Sequence, residues 1–127
     1  YVRWLEYDLS DPWSQRLDAT QCGHGWRSGD IMSTGALVVL GSDWPVAPFD
    51  PRMGMFAAQM RRAHDVSYDG PVGKTRALTG AETLTGYTRN AAIAVGADYE
   101  RGMLAPGMMA DLVMWQEDPS KVNPNKA

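Results

Sequence analysis

The chemistry of this chain concentrates at Gly41-Ser42-Asp43-Trp44-Pro45, which follows the apolar run Ala36-Leu37-Val38-Val39-Leu40. An apolar run that stops at a carboxylate, with a proline two residues on, delivers one acid to the open end of a sheet or barrel. Such a carboxylate can hold a metal ion or carry a proton. Read without its surroundings, Asp43 can equally cap a turn before Trp44-Pro45. Pro45 biases Trp44 away from helical geometry and so splays the loop outward. Trp44 then borders any substrate held at Asp43, or serves only as packing.

The other residues of this kind are few. His24 sits in a Gly-His-Gly loop and His64 near the end of a helix; both suit solvated histidines. Cys22 is the single cysteine, so no internal disulfide can form, in agreement with a reducing compartment such as the cytoplasm. No glycine-rich phosphate loop, Ser/His/Asp pattern or cysteine pair is present. Arg3, Glu6 and Asp8 lie in an aromatic stretch with Trp4 and Trp13, which reads as a loop over a site or as a packed surface segment.

The elements that position Asp43 are legible in outline. The 127 residues are 44% hydrophobic and 21% charged, enough for one ordinary domain with a core. A net charge of −3 gives no electrostatic case for nucleic acid or an anionic membrane. The longest apolar run is far too short to cross a bilayer. The chain opens without an initiator methionine, inside structured-looking sequence, and reads as a piece of something longer.

Residues 1–30 read as loops, with a short helix near Ser14–Asp18, and residues 26–34 as a helix ending at Gly35. Ala36–Leu40 lacks polar alternation, which suits a strand buried on both faces. Asp50-Pro51 opens a helix: Asp50 accepts first-turn N–H groups, and proline costs nothing at the first helical position. Met53, Phe56, Ala57 and Met60 form its apolar stripe. Thr79-Gly80-Ala81-Glu82 has the capping-box form. Leu84, Tyr87, Thr88, Ala91, Ala92 and Val95 make the stripe of the helix that follows, and Gly96 ends it. Ala105-Pro106-Gly107-Met108 fits a type II turn. Ala110–Trp115 reads as a strand, and the tail from Asp118 as frayed. Helix, buried strand, helix is a slice of α/β architecture.

Three of these stretches carry a resemblance. Gly41–Val46 with Asp50-Pro51 resembles the last barrel strand and following helix of the amidohydrolase superfamily, in its family 3 branch of metal-dependent hydrolases. Ala77–Gly80 through Tyr87–Ala92 resembles that branch's helix after the barrel, and Gly102–Val113 its return into a small β-sandwich. The three stand in the family's order. The resemblance implies a (β/α)8 TIM barrel with its site at the C-terminal strand ends, plus a composite β-sandwich. A whole barrel needs about 200 or more residues, so this chain would be a C-terminal piece.

On that reading residues 1–95 end the barrel, with the last strand near 36–41, the next helix near 51–64 and a post-barrel helix near 80–95. Residues 96–118 enter the sandwich and 119–127 form a tail. The resemblance implies that Asp43 binds a divalent metal, zinc, and handles the proton of the attacking water. The reaction is hydrolysis of a non-peptide C–N bond in a small-molecule substrate. The family's His-X-His pair and its later histidines are absent; His24 and His64 match neither. Asp111 matches a residue with a structural hydrogen-bonding role.

One carboxylate does not make a catalytic zinc site. The isolated chain is therefore expected to bind metal weakly, to catalyse nothing, and to self-associate through edges left by the missing N-terminal barrel and sandwich portion. The competing reading is a non-catalytic, stand-alone α/β module that binds a partner.

Overall fold

A computed structural model describes residues 12–62 and 71–123, which form six short helices and an extended segment between the third and fourth. They are α1 (Pro12–Gln15), α2 (Ala19–Gly23), α3 (Ser28–Ser33), α4 (Pro51–Met60), α5 (Gly80–Tyr87) and α6 (Arg89–Ala94).

Local chemistry accounts for most of the boundaries. Asp50 caps α4 by accepting from the Arg52 N–H at 3.0 Å, with Pro51 at the first helical position. The helix ends at Met60, where Arg61 turns left-handed with φ 54°. The capping box at Thr79 forms in both directions: the Glu82 N–H reaches the Thr79 hydroxyl and the Thr79 N–H reaches the Glu82 carboxylate. Gly35 takes φ 83° just past α3, and Gly107 takes φ 88° in a turn closed from the Met108 N–H to the Ala105 carbonyl.

Three features depart from the sequence expectations. A capping box at Asp18 and Gln21 starts α2 within a stretch that reads as loop. The single helix expected over 80–95 is instead two, broken at Thr88 (φ −119°, ψ −85°). That break rotates the buried face: Thr83, Gly86 and Ala92 are buried, whereas Thr88 and Val95 are exposed.

The third departure concerns strands. Among the described residues none is present. Residues 36–42, whose exposure alternates as in an extended chain, and residues 110–115 lie in no ladder. A strand exists only with a partner. One edge of residues 38–40 is instead bonded to α5 and α6, through the Leu40 N–H to the Gly86 carbonyl and the Asn90 amide to the Val38 carbonyl. The residues from Asp111 to Asp118 are all exposed.

The core lies on α4. Met55, Phe56 and Ala57 are buried with Val72, Leu78 and Ala47. The Leu78 N–H donates to the Ala58 carbonyl and ties residues 71–79 to this helix. Two arginines clasp the loops. Arg61, 5% exposed, donates to the carbonyls of Gly25, Trp26 and Val72. Arg76 donates to Gly29 and to both carboxylate oxygens of Glu82. These bonds tie the loops around residues 25–29 and 72–76 to the ends of α3, α4 and α5.

Candidate functional site

Residues 36–40 show a two-residue rhythm. Val38 and Leu40 are half-buried, while Leu37 and Val39 are 49% and 45% exposed. This is the alternation of an extended chain with one face on the helices and the other face open. The absence of polar residues suggests burial on both faces; the described residues cover one.

The segment ends in a turn at Asp43–Val46, closed by the Val46 N–H donating to the Asp43 carbonyl at 2.8 Å. Asp43 has φ 53°, a left-handed conformation that aspartate tolerates better than most residues, and it is exposed. The Trp44–Pro45 peptide bond is cis. Trp44 is 65% exposed and meets Phe49 edge to face, with ring centroids 5.6 Å apart. Such pairs add to apolar burial through their quadrupoles. Phe49 was not singled out in the sequence, although an aromatic residue in a polar, Pro-containing loop is a signal that could have found it. Beyond it, the Asp50 carboxyl is held below its usual range by hydrogen bonds from the Arg52 side chain and backbone.

The structure therefore brings Asp43, Trp44 and Phe49 to one turn. It does not bring other metal-binding side chains to them: among the described residues there is no group of three or more His, Cys, Asp or Glu able to hold a metal. His24 is an exposed residue at the C-cap of α2. Cys22 is buried, its thiol near the carbonyls of Ser14 and Leu17. Asp111 is exposed. His64, Arg3, Glu6 and Asp8 lie outside the described residues.

A cavity of about 80 Å³ lies between the segment and α3, α4 and α5, lined by Trp26, Leu40, Gly54, Arg61, Arg76 and Tyr87 among others. Burial pushes the Tyr87 phenol up. Asp43 does not line this cavity, which sits on the helix side of the segment. The chemistry available at the turn is that of a single exposed carboxylate beside an aromatic pair.

An extended segment thus delivers a carboxylate to an aromatic-edged turn, with helices on one face. The Amidohydrolase family model matches residues 7–127, and the chain belongs to this family. Membership implies a TIM-barrel fold and, in general, metal dependence. The chain is 27% identical over 107 residues to a Bacillus subtilis (strain 168) protein named "Putative amidohydrolase YtcJ", covering 84% of this chain and 20% of that one. It is 53% identical over 38 residues to the imidazolonepropionase of Shewanella loihica (strain ATCC BAA-1088 / PV-4), covering 30% of this chain and 9% of that one. It is 32% identical over 84 residues to Protein LONG AFTER FAR-RED 3 of Arabidopsis thaliana, covering 66% and 14%. The chain thus spans a fifth or less of the length of these relatives. No solved structure matches it.

Asp43 offers a metal one hard oxygen donor, which suits a divalent ion as one ligand of several. The described residues form no complete centre around it. No helix among them is long and apolar enough to cross a membrane.

Proposed function

We propose that this chain is the C-terminal part of a longer metal-dependent amidohydrolase that cleaves a non-peptide, amide-type C–N bond of a small molecule. Residues 1–95 would close its barrel, 96–118 would enter its β-sandwich, and 119–127 would form the tail. The observation that carries the reading is the parity of the extended segment. Leu37 and Val39 lie on its open face. Continued two residues at a time, that face leads to Gly41 and Asp43. In a barrel the face turned away from the helices is the interior, and its C-terminal end is where chemistry occurs.

Asp43 would act twice. As a carboxylate it takes a proton from the water whose oxygen attacks the carbonyl carbon. As the C–N bond breaks, it returns that proton to the leaving nitrogen. A divalent ion, zinc, supplies when bound the lowered pKa that makes this proton available near neutrality. Trp44 borders the substrate. The remaining ligands belong to the missing N-terminal barrel portion, so the isolated chain is inactive. A buried, unpaired Cys22 accords with a cytoplasmic setting.

Sequencing the coding DNA upstream of Tyr1 tests the reading. An open frame of several hundred codons leading back to a His-X-His strand supports it. A stop codon and start signal immediately before Tyr1 would overturn it in favour of a stand-alone binding module.

A further inference from the structure

The segment that ends in Asp43 is gripped at two points, both on one edge. The Leu40 N–H donates to the Gly86 carbonyl at 3.2 Å, and the Asn90 side-chain amide donates to the Val38 carbonyl at 2.9 Å. In an extended chain the peptide groups of residues two apart point to the same edge, so both bonds act on the edge of Val38 and Leu40. The grip is built by the helix break. The Gly86 carbonyl lies in the last turn of α5, where helical carbonyls lack an internal partner. The break at Thr88 then starts α6 and puts Asn90 in its first turn.

Gly86 permits the close approach. A β-carbon there would stand 2.9 Å from Leu40 Cγ and 3.0 Å from Leu40 Cδ1. Asn90 suits its place because its short amide carries N–H donors on a stem with few rotamers; alanine has no donor, and an ionised aspartate only accepts.

We propose that Asn90 is a positioning residue for Asp43. By holding the Val38 carbonyl it fixes the register of residues 38–42 along α5 and α6, and thereby the place at which the Asp43 carboxylate emerges. This role rests on the function proposed above for Asp43. Asn90 is half-buried and meets the segment at its backbone edge, so it acts through the Val38 carbonyl and touches no substrate.

The test uses the longer polypeptide that carries these residues, with Asn90→Ala and the isosteric Asn90→Asp, each alone and combined with Asp43→Asn. Two properties are read: the dissociation constant for Zn²⁺ by chelator competition, and kcat against KM on a simple amide substrate. Each Asn90 variant is expected to weaken zinc binding and lower kcat by about tenfold, the scale seen when a ligand's support is removed. KM should hold, and the Asp43→Asn background should show no further loss. A purely structural Asn90 would lower the melting temperature equally in both backgrounds and leave zinc affinity and kcat alone, which would overturn the proposal. Should Asp43→Asn itself leave both readings at wild-type values, the functional reading of Asp43 falls and the positioning role falls with it. Asn90→Asp preserves shape, so it separates loss of the bond from loss of folding.

Discussion

The hydroxyl of Tyr87 lies against the Cα of Gly54, leaving no room for a β-carbon on that face of α4. Gly54 is inside a helix, where alanine is ordinarily better by about 1 kcal/mol. Overpacking costs about 1–3 kcal/mol and so outweighs that gain. Gly54→Ala is expected to destabilise the chain by about 1 kcal/mol, and adding Tyr87→Phe should recover part of the loss: the crowding oxygen goes, while the ring Cζ stays 3.0 Å from the new β-carbon. Urea titration of the two single variants and the double variant measures this coupling.

Acid should weaken the fold through Glu82. The Arg76 guanidinium meets this carboxylate at 2.8 and 3.1 Å, and the Thr79 N–H adds a bond at 2.8 Å. Together they hold its pKa down from 4.5 to about 2. A folded-state value below the unfolded one contributes stability above pH 4.5, which is lost as pH falls toward 2. Asp30 is lowered chiefly by the Arg76 N–H and acts in the same direction. Melting temperature should therefore fall across this window, and Glu82→Gln should flatten the dependence.

Arg61 is the buried clasp of the fold. Its guanidinium serves carbonyls 35 and 36 positions away in sequence as well as that of Val72. Arg61→Met would leave these buried oxygens without donors, at a cost of about 3 kcal/mol. The midpoint of urea unfolding should drop with little change in slope.

The turns and caps of this chain were legible from local chemistry, and its long-range clasps were not. Asp50-Pro51, Thr79 with Glu82, Gly35 and Pro106-Gly107 each act within a few residues. The Asp18–Gln21 box was equally local, but its helix is only five residues long and lacks an apolar period. The break at Thr88 has no proline to announce it, and Gly86 two residues before it fits a helical stripe as well as a helix end. The strands read at 36–40 and 110–115 have the right composition, but a ladder needs a neighbour that no described residue supplies. Asp43 stands out in the sequence by its place at the end of an apolar run, whereas the pairing of Phe49 with Trp44 is visible only in the folded loop.

Residues 110–115 expose Leu112, Val113 and Met114, the last at 97%, and Leu104 is exposed as well. Unpaired apolar segments of this kind associate. The 127-residue chain should sediment as species larger than its 14.0 kDa monomer. Leu112→Lys with Met114→Lys should shift it toward monomer. A sharp, cooperative melt from a wild-type monomer would count against an incomplete barrel.

The most direct measurement is the kcat of the longer enzyme with Asp43→Asn, on an amide substrate turned over by the wild type. The amide keeps the shape of the side chain and removes its capacity to carry a proton. The account predicts a loss of about 10³-fold, with circular dichroism and melting temperature unchanged. A kcat within about threefold of wild type, well short of the scale of general acid–base catalysis, would contradict it.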